Sequence, residues 1–278
     1  MTVGMLPGKT ALITGGNGRF GHAVARLLAS EGADVVLADI TFADADGSAL
    51  EGTREFIESL GRRVFTVQAD VTKEQDCADM VDFAVSSVGE IDILCANAGT
   101  FTYGPAWQLT EAEWDKVLDL NLKGVWLSTK FVIPRMIERR YGKIVITSSR
   151  DGLRAEPNFS HYCASKFGVI GYMKSLAIEL GPYDINVNAV CPAQMATRGE
   201  TPTAVLTHPY WDQVVGRSGA TYAEFDEASG NENLFEGRGQ PDFSEIAEGV
   251  AWLASDRSRM VTGHALPVDA GWIAKRGG

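Results

Sequence analysis

A tyrosine and a lysine one helical turn apart, Tyr162 and Lys166, have the spacing best suited to proton chemistry in this chain. Gly168, Val169, Ile170, Met173, Leu176 and Ala177 continue at helical spacing, so the pair should share one face of a helix. A free phenol titrates near ~10, too high for a base at neutral pH. An ammonium held beside it favours the phenolate and lowers that value. The tuned phenol then takes a proton from an alcohol or gives one to a carbonyl. Alone, the pair also fits an ordinary amphipathic helix that happens to carry a Tyr and a Lys. Upstream, residues 142–149 read as a short buried strand ending in hydroxyls, and its last residue, Ser149, stands 13 residues before Tyr162.

A second constellation lies near the start. Gly16-x-Gly18-x-x-Gly21 follows an apolar strand and precedes a helical pattern. Glycines there let the backbone approach a pyrophosphate seated on the helix N-terminus. Asp39 ends the next strand, 18 residues after Gly21. A carboxylate at that place hydrogen-bonds the ribose hydroxyls of NAD and repels the 2′-phosphate of NADP. Arg19 is the opposing feature, a cation able to welcome that phosphate.

The elements that must position these groups alternate. Strands are expected at 9–14, 34–39, 64–67, 91–96, 142–149, 185–190 and 264–268, with helical patterns between most of them. Thr72-x-x-Gln75 and Thr110-x-x-Glu113 read as capping boxes, the second opening a long helix through Trp126. Another helix should start at Ser244. The fold class is α/β, a doubly wound, Rossmann-type parallel sheet in a single domain, 1–278. Residues 197–240 break the rhythm with scattered Gly, Pro, aromatics and acids. A segment that long is too long for a plain connection, and a substrate lid is expected there, a surface insertion or oligomer contact being the alternative.

Taken together, these motifs resemble the classical short-chain dehydrogenase/reductases over nearly the whole chain. The resemblance implies a catalytic set of Asn121, Ser149, Tyr162 and Lys166. Tyr162 is then the acid/base, Ser149 binds the substrate oxygen, Lys166 lowers the phenol's pKa and grips the ribose, and Asn121 kinks its helix and anchors a water relay. It implies NAD contacts from Gly15, Asn17, Gly18, Arg19, Phe20 and Gly21, then from Asp39 and Ile40. Further contacts come from Asp70 and Val71 at the adenine, Asn97, Ala98 and Gly99 beside the cofactor, and Pro192, Ala193, Met195 and Thr197 at the nicotinamide end. Tyr162 and Lys166 also touch the cofactor. The family's usual glycine turn has its middle Gly where this chain has Arg19, which makes Arg19 itself a candidate phosphate contact. The implied reaction moves a hydride between a secondary alcohol or ketone and NAD. An NADPH-dependent ketone or 3-oxoacyl reductase is the nearest alternative, and a non-catalytic NAD sensor a more distant one. Arg150 and Arg154, close behind Ser149, either bind an anionic substrate group or pair with Asp151 and Glu156. Trp211, in the expected lid, is a further substrate contact. A homotetramer is implied through helices carrying Trp114, Trp126, Phe131 and Phe167.

Composition narrows the classes. The 278 residues carry a net charge of −11 and are 45% hydrophobic, which argues against nucleic-acid or anionic-membrane partners and allows a full core. No signal peptide or membrane span is apparent, and a cytoplasmic location is expected. Cys77, Cys95, Cys163 and Cys191 sit in apolar stretches without metal-ligand spacing, and neither they nor His22, His208 and His264 suggest a metal. His161 adjoins Tyr162 and so points roughly 100° away around the helix, which makes it a structural or rim residue.

Overall fold

Strand β1 (Thr10–Thr14) is buried at every position, and its side chains alternate between two cores. Leu12 faces one; Ala11 and Ile13 face the other. A strand covered on both sides has no polar face, which is why it reads as an unbroken apolar run. The computed structural model describes residues 4–42, 48–195, 209–235 and 237–276. Within them, six further strands join β1: β2 (Asp34–Asp39), β3 (Val64–Gln68), β4 (Ile93–Ala96), β5 (Gly142–Thr147), β6 (Ile185–Pro192) and β7 (Ala265–Val268). All neighbours are parallel, in the order β3-β2-β1-β4-β5-β6-β7.

The described helices are α1 (Arg19–Ser30), α2 (Ser48–Ser59), α3 (Glu74–Val88), α4 (Glu111–Leu118), α5 (Gly124–Arg139), α6 (Ser160–Leu180), α7 (Pro209–Val215), α8 (Tyr222–Gly230), α9 (Phe243–Ala254) and α10 (Trp272–Lys275). Residues of α1, α2 and α9 fill one core; those of α3, α5 and α6 fill the other. The chain runs outward from β1 to β3, then crosses back to β4. A crevice therefore opens at the carboxyl ends of β1 and β4, where such sheets bind ligands.

Several expectations need correction. Thr72 caps nothing: its Oγ1 donates to Asp70 Oδ1 at 2.7 Å, and α3 begins two residues later behind Lys73. The Asp70 carboxylate also accepts the Thr72 N–H at 3.0 Å, so a local turn outcompetes the capping box. The Thr110 box does form, but its helix stops at Leu118. A π-turn, Asp119–Lys123, joins it to α5, so the long helix is two α-helices around one widened turn. The helix expected from Ser244 starts at Phe243, capped by Asp242 through Ser244 and Glu245. The helix α2 was not anticipated. Within 197–240, the described part is largely helical: α7, then α8 with its own Thr221–Glu224 capping box.

Candidate active site

Three strand ends are tied together at the crevice. Thr14, closing β1, accepts the N–H groups of Asn97 and Ala98 at 3.0 and 3.2 Å. Asn97 Nδ2 donates to the Gly15 carbonyl at 3.2 Å, and Thr147, closing β5, donates to Asn97 Oδ1 at 3.2 Å. The turns after β1, β4 and β5 thus form one hydrogen-bonded rim around a cavity of about 1090 Å³.

The cofactor half of this rim is made by backbone. A Cβ on Gly21 would stand 2.2 Å from the Gly15 carbonyl oxygen, so helix α1 meets the turn only with glycine there. Gly15 has φ +65 and would place a Cβ 2.9 Å from Ala98 Cα. Gly18 is less constrained, its Cβ reaching only 3.4 Å from the Gly15 oxygen. Gly15, Gly18, Arg19, Phe20, Gly21, Asp39, Ile40, Asp70, Val71, Asn97, Ala98, Gly99, Pro192, Ala193 and Met195 all line the cavity. Asn17 does not; its N–H donates to Asp39 Oδ2 at 2.9 Å, so it orients the acid from behind. Asp39 Oδ1 accepts the Ile40 N–H at 2.7 Å. Thr197 lies outside the described residues. An open glycine turn at the start of α1, with an acid at the end of β2 facing the same cavity, fits a dinucleotide.

The opposite half carries the titrating side chains. Ser149, Tyr162 and Lys166 line the same cavity. Lys166 Nζ donates to the Thr147 carbonyl at 2.9 Å and lies 5.6 Å from the centre of the Tyr162 ring. Burial lowers the Lys166 ammonium to about 8. The expected lowering of the Tyr162 phenol is not what the structure gives. Burial pushes it above its ordinary value, the Asp151 charge adds to that, and a hydrogen bond from Ser149 opposes it. Burial outweighs the Ser149 hydrogen bond and the Arg150 charge, which favour the phenolate.

Asn121 is wholly buried beneath the cavity rather than lining it. Its Oδ1 accepts the Thr100 N–H at 2.8 Å; its Nδ2 donates to the Thr100 carbonyl at 2.9 Å and to Ser165 Oγ at 3.0 Å. The π-turn delivers this amide to the loop after β4. A Cβ on Gly99 would lie 3.3 Å from Asn121 Oδ1 and 3.5 Å from Lys166 Nζ, so glycine keeps open the space those two atoms share.

Aromatic side chains close the far end. Tyr210 and Trp211 of α7 and Phe225 of α8 pack with Phe159 into a cluster over Tyr162. Trp211 stacks on Phe225, with centroids 6.0 Å apart and an interplanar angle of 22°. Arg150 lines the cavity, and its guanidinium is partly engaged, with Nη1 left without a hydrogen-bond partner among the described residues. Its Nη2 donates to the Tyr210 hydroxyl at 3.0 Å, its plane lies 4.0 Å from the Trp272 ring centre, and its Nε is 3.7 Å from Asp151 Oδ1. Arg154 does not line the cavity; its Nη1 donates to the Arg276 carbonyl at 2.7 Å, and Glu156 pairs with Arg276 instead. His161 is buried with its Nε2 2.6 Å from Thr102 Oγ1, away from the cavity. Sequence reasoning missed Phe101, Asp151 and Phe159 as lining residues; only their nearness to Gly99, Ser149 and Tyr162 could have flagged them.

Room for a dinucleotide at one end and a buried phenol near a lysine at the other fit a nucleotide-dependent oxidoreductase built on a doubly wound sheet. Likeness to known proteins narrows that class. A sequence profile described as short chain dehydrogenase matches residues 9–204. A (−)-trans-carveol dehydrogenase of Rhodococcus erythropolis is 35% identical over 281 residues, spanning 96% of this chain and 98% of its own. The crystal structure of carveol dehydrogenase from Mycobacterium avium in complex with NAD superposes with a TM-score of 0.87 at 36% identity, covering 98% of this chain and 99% of that one. Levodione reductase gives 0.83 at 30% identity, covering 98% and 100%. The chain belongs to the short-chain dehydrogenase family and is an oxidoreductase.

Proposed function

We propose that the protein is an NAD-dependent dehydrogenase acting on a secondary alcohol, or in reverse on the ketone, carried on a cyclic or aromatic frame. The observation that carries this reading is one cavity lined by Ser149, Tyr162 and Lys166 at one end and by the glycine turn and Asp39 at the other. The likeness to an NAD-bound carveol dehydrogenase supports the cofactor and the alcohol; the aromatic wall supports the frame.

In this reading Gly15, Gly18, Arg19, Phe20 and Gly21 hold the dinucleotide phosphates and Asp39 the adenosine ribose. Asp70, Val71, Asn97 and Gly99 flank it, and Pro192, Ala193 and Met195 meet its other end. The bound nicotinamide supplies the hydride chemistry. Tyr162 passes the proton to or from the substrate oxygen, and Ser149 hydrogen-bonds that oxygen. Lys166 holds the ribose and keeps a positive charge near the phenol. Asn121 anchors a relay toward Lys166 through the space beside Gly99. The helices α7 and α8 act as the lid over the substrate, excluding water from the reacting atoms.

Because the phenol is held above its ordinary pKa, alcohol oxidation should climb with pH, by up to about tenfold per unit while the phenol remains mostly protonated. Ketone reduction should persist to lower pH, and initial rates in both directions at pH 6 and 8 test the contrast. The proposed state is a cytoplasmic homotetramer joined through α4, α5 and α6, whose Trp114, Trp126 and Phe167 are 43%, 44% and 47% exposed. Light scattering at micromolar concentration reads its mass.

The direct test mixes the protein with NAD or NADP and a panel of cyclic and aromatic secondary alcohols, following reduced-nicotinamide absorbance. Signal with NAD well above that with NADP is expected. Because Arg19 lines the cavity beside Asp39, a reversed preference would favour the NADPH-dependent reductase reading. No signal from any pair would overturn both.

A further inference from the structure

Asp151 is, among the described residues, the carboxylate that lines the cavity beside Ser149, and the reaction described above does not use it. Its side chain is nine-tenths buried, and Oδ1 has no hydrogen-bond partner among the described residues. Arg150 pairs with it only at longer range: Nε stands 3.7 Å from Oδ1, Nη2 serves Tyr210, the guanidinium lies over the Trp272 ring, and Nη1 has no hydrogen-bond partner among the described residues. Asp151 Oδ2 lies 3.4 Å from Ser149 Oγ, the group that binds the reacting oxygen.

We infer that Asp151 reads a second hydroxyl on the substrate, carried on the carbon next to the one oxidised, so that the preferred substrate is a vicinal diol on an apolar ring. This rests on the alcohol dehydrogenase reading above. The separation of Ser149 Oγ and Asp151 Oδ2 is short enough for oxygens on adjacent carbons to meet both groups at once. The oxygen a substrate hydroxyl would share with Ser149 is Oδ2, and a second donor there supports a buried carboxylate that has few donors in the free protein. Burial raises the Asp151 carboxyl to about 6, Arg150 and Lys166 offsetting it and Glu156 adding to it, so at neutral pH it is mainly the ionised acceptor. That charge also disfavours substrate carboxylates, against the pull of Arg150, whose Nη1 has no hydrogen-bond partner among the described residues. Phe101, Phe159, Tyr210 and Trp211 line the same cavity and suit a ring.

The test uses three probes on one frame: cyclohexanol, vicinal cyclohexanediol and 2-hydroxycyclohexanecarboxylate, each with NAD. The wild type should favour the diol over cyclohexanol by about 10- to 100-fold in kcat/KM, the range for a hydrogen bond to a charged acceptor. Asp151→Leu should bring that ratio close to one. Asp151→Asn, which keeps the shape and removes the charge, should raise the hydroxy acid relative to cyclohexanol by about tenfold or more. If Asp151→Leu does not fold, the Asn variant carries the test. A wild-type ratio near one overturns the inference and leaves the dehydrogenase reading standing. So does a Leu variant that lowers both rates together, since Asp151 would then only shape the Ser149 turn. Failure of the wild type to oxidise any probe, with NAD bound, overturns the underlying reading and this inference with it.

Discussion

The two ends of the cavity are built from different materials. At the cofactor end the walls are backbone turns after strands, locked by Thr14, Asn97 and Thr147 and pressed so close that Gly21 has no room for a methyl group. At the substrate end the walls are side chains contributed by α6, α7 and α8, and their order depends on aromatic packing around Phe225. A wall of backbone is fixed by the sheet itself and tolerates little change. A wall of side chains can be altered without touching the fold, and this is where one scaffold changes substrates.

Substitutions at each end should separate accordingly. Gly21→Val brings a branched side chain onto the Gly15 carbonyl, and NAD binding should weaken by about 10- to 100-fold, taking ~1–3 kcal/mol for overpacking. Calorimetry with NAD measures it, and near-normal affinity would show that the turn yields. Asp39→Ala should shift the NAD-to-NADP ratio of kcat/KM by roughly tenfold toward NADP, from the loss of a charged hydrogen bond and of a repulsion. An unmoved ratio would make Arg19 the selector. At the other end, Phe225→Leu removes edge and stacking contacts worth about 0.5–1.5 kcal/mol. It should raise the substrate KM several-fold with NAD affinity intact; an equal loss of NAD affinity would erase the contrast.

The same difference explains what could be read in advance. The cofactor end was legible because backbone requirements leave fixed spacings: the glycines of the first turn, Asp39 at a strand end, Asn97 to Gly99 after β4. The proposed catalytic set stood out because Tyr162 and Lys166 keep helical register and Ser149 follows a strand end. What stayed hidden was decided by competition or by distant packing. Thr72 looked like a cap, but Asp70 took its hydroxyl. Gly and Pro made 197–240 look loop-like, although the apolar faces of α7 and α8 pack on Phe159, far away in sequence. Arg154 stood near Ser149 in the chain, yet the C-terminal Arg276 claims it. Burial, which no spacing reveals, weighs against the expected lowering of the Tyr162 phenol.

The central claim is that Tyr162 moves the proton while other residues bind the dinucleotide. Its most direct test is Tyr162→Phe, with NAD affinity by calorimetry and alcohol turnover measured on the same preparation. The account predicts affinity close to wild type and turnover lower by about 10²–10⁴-fold, the usual loss of a general acid–base group. A variant that keeps a tenth or more of the wild-type rate would contradict it.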